Sequence, residues 1–320
     1  MLTLASAVLI LTAGAEVLVR GASALAIRAG VSPLFVGLTV VGFGTSAPEL
    51  SASLVASAAG SSDVAVGNVV GSNVFNVAVI LGVTALVRPI RIHLSALRRD
   101  VLVAIAAAAV PWLALTNGGV LSRGLGLGLL AALALYLGVA YRAGRRGAGE
   151  ADSLRREDVE SALVWTRKDP ARIVLQILLS LAGIGLLAFG ARLFVETALG
   201  IARAHDVPEV VVGLTIVAMG TSLPELVTSI VAAVRGSPDI AVGNVVGSSI
   251  FNILGILGLS ASLTPQVVSP IILARDTPVM LVATVALVPL LRTGGVLSRR
   301  EGGLLLLGYL VYLAVLLRAG

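Results

Sequence analysis

The sequence predicts an all-α polytopic membrane protein with ten transmembrane helices arranged as two inverted five-helix repeats (5+5). Three observations carry that prediction. The chain of 320 residues is 57% hydrophobic and only 12% charged, about half the charged share of an average soluble domain, and its mean hydropathy is +1.03. Its motifs recur at a constant offset of 176 positions. Its basic residues cluster at the ends of apolar segments, on alternate loops.

Ten apolar segments follow one another at 3–27, 34–59, 64–87, 98–116, 121–142, 172–200, 209–234, 240–264, 274–292 and 299–318. Each is near the ~20 residues that a helix needs to cross a bilayer. The first lacks the basic start of a signal peptide. It also aligns with an internal segment, Gly14-Ala15 with Gly190-Ala191, so it reads as a membrane helix. The one strongly polar stretch, Arg142 to Lys168, carries both signs of charge and reads as a solvated linker. The predicted organisation is a first repeat at 1–142, a linker at 143–170 and a second repeat at 171–320.

The duplication is detailed. GTSAPE at Gly44–Glu49 returns as GTSLPE at Gly220–Glu225, and GLT at Gly37–Thr39 as GLT at Gly213–Thr215. AVGNVVGS at Ala65–Ser72 returns at Ala241–Ser248, Phe75-Asn76 at Phe251-Asn252, Asp100 at Asp276, and GGVLSR at Gly118–Arg123 at Gly294–Arg299. An odd number of spans per unit makes the second unit enter the membrane from the opposite side. With both termini outside, the inner loops hold 18 basic residues, from Arg20 and Arg28 to Arg299 and Arg300, and the outer side only Arg123, Arg203, Arg275 and Arg318. Positive residues mark the cytoplasmic side, so the linker is predicted to be cytoplasmic and the membrane to be the cell (inner) membrane.

Some classes of function are excluded. Without cysteine there are no disulfides, thiolate metal sites or cysteine nucleophiles. The net charge of +6 is placed as topology signals, not as a nucleic-acid surface. An intramembrane hydrolase would need a nucleophile with a base or an aspartate pair. The two histidines, His93 and His205, flank the apolar runs, and the motif helices carry no midspan aspartate.

The GTS-x-PE motifs are costly. A carboxylate at the bilayer centre costs about 3 kcal/mol on insertion scales, and the chain places Glu49 and Glu225 deep in apolar runs. Pro48 and Pro224 offer no N–H to the carbonyls of Gly44 and Gly220, so each helix breaks or kinks. Backbone freed at membrane depth persists only inside protein or along a wet cavity. Thr45, Ser46, Thr221 and Ser222 add hydroxyls beside the break. Carboxylate, hydroxyl and carbonyl are hard oxygen ligands of the kind Ca²⁺ prefers. A single copy could serve only to kink and pack a helix; a second copy with its own buried glutamate points to an ion site.

The following helices carry GNVVGSNVFN (Gly67–Asn76) and GNVVGSSIFN (Gly243–Asn252). Asn68, Ser72 and Asn76 share one helical face, as do Asn244, Ser248 and Asn252. Of these, Ser72, Asn76, Ser248 and Asn252 are predicted to face the site, and Asn68 and Asn244 to be structural. Gly67 with Gly71 and Gly243 with Gly247 permit close helix approach. Asp63 and Asp239 read as helix N-caps rather than ligands, and Glu16 with Arg20 as a surface pair.

The paired GTS-x-PEL and A-x-GN-x-x-GS-x-x-FN segments resemble the two alpha repeats of the sodium/calcium exchanger family, within the cation/Ca²⁺ exchanger superfamily. The motifs span Gly37–Asn76 and Gly213–Asn252. The resemblance implies broken helices crossing near the midplane, with Glu49 and Glu225 as the carboxylates shared by Ca²⁺ and its counter-ion. It implies backbone oxygens from Thr45 and Thr221, hydroxyls from Ser46, Ser222, Ser72 and Ser248, and flanking carbonyls near Gly42 and Ala218. It also implies that the first helices of the two halves slide across this core to alternate access. No cofactor, enzymatic activity or obligate protein partner is implied, only Ca²⁺ and Na⁺ or H⁺ as substrates and the bilayer as surroundings.

One departure bears on mechanism. Many family members carry an acid at the position of Asn76 or Asn252, and here both are asparagine. An acid at the latter position is associated with potassium-dependent members, so potassium dependence is not expected. Two carboxylates balance one Ca²⁺, two Na⁺ or two protons, and a third Na⁺ would enter without a matching charge. The expectation is a Ca²⁺/Na⁺ antiporter, with H⁺/Ca²⁺ exchange through the same site as the alternative. A passive cation channel is the competing class, although a channel filter usually draws like groups from several subunits.

Overall fold

A computed structural model of the chain describes residues 2–91, 94–154, 170–204, 218–292 and 295–319. Helix α1 covers Leu2–Ala29. A bent pair follows: α2, Pro33–Thr45, and α3, Ala47–Ala58. Helix α4 spans Ser62–Val87. Helix α5, Leu94–Ala108, continues as a 3₁₀ turn over Val110–Asn117. Helices α6, Arg123–Leu154, and α7, Pro170–Ala204, follow. The second half contributes α8, Ala218–Thr221, and α9, Leu223–Val234. The last three are α10, Pro238–Leu263, α11, Thr277–Arg292, and α12, Arg299–Ala319. Among the described residues eight helices are long and apolar enough to span a membrane, or nine with the bent pair. The chain is an all-helical multi-pass membrane protein.

The predicted linker does not begin where its polarity begins. Helix α6 runs on to Leu154, twelve residues past 142, although the extension contains Gly144, Gly147 and Gly149, which are poor helix formers. The second GLT motif, at 213–215, and both histidines lie outside the described residues.

Helices α4 and α10 form the centre. Of their most apolar windows 78% and 94% are buried, against 22% for α6 and α7 and 11% for α12. The outer helices therefore present leucine and valine to lipid, while valines and isoleucines of α4 and α10 interlock inside. Lipid tails are as apolar as these side chains, so helix association depends on close packing of small residues. A side chain at Gly247 would lie 2.2 Å from the carbonyl oxygen of Leu38, and one at Gly243 would lie 2.8 Å from that of Leu34. Only glycine lets α10 approach α2 this closely. The α1–α7 contact is similar: Gly14 lies against Leu186 and Leu187, and Gly183 against Leu18.

The 176-residue offset holds for structure as well as sequence. Helix α9 is the image of α3 residue for residue, and α12 starts at the image of the start of α6. Two small antiparallel sheets extend the correspondence. Strand β1, Ile90–Arg91, pairs with β4, Val296–Leu297, and β2, Val120–Leu121, pairs with β3, Gln266–Val267. Strands β3 and β4 are the images of β1 and β2, so exchanging the halves maps one sheet onto the other.

These contacts sort the loops into two groups. Besides β1 with β4, Arg88 donates to the Val234 carbonyl, Arg299 to the Leu86 carbonyl and the Ser32 N–H to the Gly144 carbonyl. All of these loops belong to the set predicted to be cytoplasmic, and the loops joined by β2 and β3 to the set predicted to be outside.

Candidate ion-binding site

The site is built on the two helix breaks. Ser46 leaves the helical region at φ −78°, ψ 10°, and α2 and α3 meet at 47°. Ser222 does the same at φ −91°, ψ 7° before α9. Pro48 and Pro224 sit in the first turns that follow, where a missing N–H costs little. Glu49 and Glu225 thus stand in the first turn of their helices. The positive end of the helix dipole favours a carboxylate there, which offsets part of its burial cost.

The two carboxylates are engaged reciprocally across the halves. The Ser222 hydroxyl donates to Glu49 Oε1 at 2.8 Å, and the Ser46 hydroxyl donates to Glu225 Oε1 at 2.9 Å. Both glutamates are buried, and each keeps Oε2 without a hydrogen-bond partner in the protein. A buried carboxylate oxygen left bare is costly unless a cation or proton completes it. Among the described residues no group of three or more His, Cys, Asp or Glu gathers anywhere. The arrangement therefore offers two negative charges and neutral oxygens, a donor set for hard cations.

The remaining predicted residues take distinct places. Thr45 Oγ1 lies 3.0 Å from both Asn244 Oδ1 and the Val41 carbonyl oxygen of its own helix, so its one proton is shared between two acceptors. Ser248 donates to the Gly42 carbonyl at 3.0 Å, tying that oxygen to α10. Ser72 is buried, and Thr221 closes α8, which Ala218 opens. Asn76 and Asn252 are each 1% exposed, and their Oδ1 atoms have no protein partner. Both open π-helical segments, Asn76–Ile80 and Asn252–Leu257. Such segments shift the backbone ladder by one residue and recur at functional sites.

Asn68 and Asn244 are braces, as expected. The Asn68 amide donates to the Glu49 carbonyl at 3.2 Å and to Ser53 at 2.8 Å; that of Asn244 donates to the Glu225 carbonyl at 3.1 Å and to Ser229 at 2.9 Å. Each asparagine fixes the turn that carries a glutamate. Asp63 and Asp239 are not N-caps: Ser61 and Ser237 hold those positions, and the aspartates lie in the first turn. Each helix starts earlier than predicted, its cap two residues before the aspartate in Ser-Ser-Asp and Ser-Pro-Asp, and Pro238 takes the first helical position, where proline is favoured. Glu16 pairs with Arg20, and also with Arg235 at 2.6 Å.

The family profile for sodium/calcium exchanger proteins matches residues 1–142 and 175–318. The chain belongs to the sodium/calcium exchanger family. It is thus a membrane transporter rather than an enzyme. Inner membrane protein YrbG of Escherichia coli (strain K12) is 39% identical to it, over 96% of this chain and 94% of that protein. Sodium/calcium exchanger MaX1 of Methanosarcina acetivorans is 34% identical, over 96% and 95%. The solved structure of the sodium-calcium exchanger NCX_Mj, soaked with zero Na⁺ and Ca²⁺, superposes with a TM-score of 0.81 at 28% identity, covering 98% of this chain and 97% of that one.

The sequence reading of this family member missed Ser53, Ser229 and Asn73. The serines sit four residues after each glutamate, a spacing that puts them on the same helical face and could have pointed to them. Asn73 escaped because its image is Ser249, so a search for matched positions passes over it.

Proposed function

We propose that this chain is a secondary antiporter that exchanges Ca²⁺ for Na⁺ by alternating access through the site between Ser46–Glu49 and Ser222–Glu225. The observation that carries this reading is the reciprocal pairing of each glutamate with the serine at the other half's helix break. Two carboxylates neutralise one Ca²⁺ or two Na⁺. The same oxygens would serve both ions, so one must leave before the other enters, which is the condition for exchange. Thr45, Thr221, Ser72, Ser248, Asn76 and Asn252, with carbonyls near Gly42 and Ala218, would complete the coordination. The names of MaX1 and NCX_Mj, both sodium/calcium exchangers, favour Na⁺ as counter-ion.

Alternating access requires an element that can move past a fixed core. The α1–α7 pair fits that role, because glycines at Gly14 and Gly183 bring the backbones together without interlocking side chains at those points. The organisation that follows is a repeat at 1–142, a linker at 143–170 and an inverted repeat at 171–320. Both termini lie outside, the linker is cytoplasmic and, as for YrbG, the membrane is the inner one. No protein partner is required, since one chain supplies both halves of the site.

Proton exchange through the same glutamates is the second reading, favoured by the two bare Oε2 atoms. Uptake of ⁴⁵Ca²⁺ into proteoliposomes at clamped voltage separates the two. Uptake driven by an outward Na⁺ gradient and not by an outward H⁺ gradient is the expected result. Uptake driven by H⁺ alone would replace Na⁺ by H⁺, and uptake indifferent to both would make the protein a channel.

A further inference from the structure

The two halves of the site differ at Asn73 and its image Ser249. Asn73 is 3% exposed. Its Nδ2 donates to the Ser249 carbonyl oxygen at 3.1 Å, and its Oδ1 accepts from Asn252 Nδ2 at 3.0 Å. A carbonyl oxygen only accepts, so Asn73 must turn its NH₂ to Ser249 and its oxygen to Asn252. Asn252 must then offer its own NH₂ to Asn73, which leaves its Oδ1 free. That oxygen is buried and has no protein partner. Ser249 has no carboxamide to do the same for Asn76, and its hydroxyl donates to the Val245 carbonyl of its own helix.

We propose that Asn73 is a positioning residue: it holds the Asn252 carboxamide with the oxygen turned to the ion site, and it selects asparagine over aspartate at that position. The inference rests on the exchange site proposed above. Asn252 lies four residues after Ser248, whose hydroxyl reaches Gly42 beside the first helix break, so the two share the face of α10 that lines the site. An aspartate at 252 would present oxygen to the Asn73 oxygen, acceptor against acceptor. Relief would require Asn73 to flip, which would strip the Ser249 carbonyl of its donor, or the acid to take up a proton and give up its charge. Asn73 thereby keeps the site at two carboxylates and sets its charge against the ions it exchanges.

The test is a double-mutant cycle in proteoliposomes, reading the KM for Ca²⁺ and the maximal rate of Na⁺-driven uptake. Asn252→Asp alone is expected to raise the KM about tenfold, the scale of one badly paired buried group. Adding Asn73→Ser supplies a hydroxyl that can donate to the aspartate, and should bring the KM back to within about threefold of wild type. Asn73→Ser alone should raise the KM more than it lowers the rate. Additive effects, or an unchanged KM in Asn252→Asp, would overturn the inference. If Asn252→Asp does not fold, recovery of a monodisperse protein in the double variant reads the same coupling, and its failure would also count against the inference. A Glu225→Gln arm separates the two readings. Transport surviving in that variant would overturn the site and the inference with it, whereas additivity with Glu225→Gln inactive would overturn the inference alone.

Discussion

At the proposed site the serines of the helix breaks hold one oxygen of each glutamate. Each hydroxyl donates to one carboxylate oxygen from the opposite half and leaves the other oxygen bare. A hydrogen bond to a charged group contributes about 1.5–3 kcal/mol. Ser46→Ala or Ser222→Ala should therefore weaken apparent Ca²⁺ affinity by roughly 10- to 100-fold, read as the KM of ⁴⁵Ca²⁺ uptake, without unfolding the protein. Ser53→Ala and Ser229→Ala act one step further out, on the asparagine braces, and should cost less. The glutamates, hydroxyls and prolines stood out as candidates in the sequence because a costly motif occurs twice. The partners were not. Ser46 with Glu225, Thr45 with Asn244 and Asn73 with Asn252 are about 180 to 200 residues apart in sequence. Helical periodicity relates only neighbours three or four positions apart.

Among elements, the glycines decide how closely helices pass. Helix α10 lies so close to α2 that a methyl group at Gly247 would overlap the Leu38 backbone. Backbone cannot rotate away as a side chain can, and overpacking of this kind costs about 1–3 kcal/mol. Gly247→Ala should lower the thermal midpoint of the purified protein measurably, whereas Gly303→Ala, which meets nothing within 4 Å, should leave it unchanged. The GxxxG spacing made this contact legible on the α10 side; the positions that correspond to Leu34 and Leu38 in the second half, 210 and 214, lie outside the described residues. Helix existence and order were also legible from hydropathy. The π-helical segments were not, because a one-residue shift of the ladder leaves the apolar pattern intact. The helical extension to Leu154 was likewise hidden by its polar composition.

At the scale of the molecule, exchange symmetry organises the chain. The sheet pairings and loop contacts divide the loops into two sets, and the proposed orientation puts the more basic set in the cytoplasm. The natural absence of cysteine makes this directly testable. With an impermeant maleimide on intact cells, Asn117→Cys and Val267→Cys should label from outside. Arg91→Cys should label only after the membrane is opened. Labelling of Arg91→Cys in intact cells would invert the proposed orientation. The duplication and the charge bias were readable from sequence; the pairing of β1 with β4 and of β2 with β3 was not, since two-residue strands carry no periodicity.

The central claim is that Glu49 and Glu225 together form the exchange site. Its most direct test is Na⁺-driven ⁴⁵Ca²⁺ uptake by purified Glu49→Gln and Glu225→Gln proteins in proteoliposomes, each first shown to be monodisperse. Glutamine keeps the shape and an acceptor for the serine while removing the charge, so uptake in both should fall to the level of empty liposomes. Uptake at the wild-type rate in either variant would contradict the account.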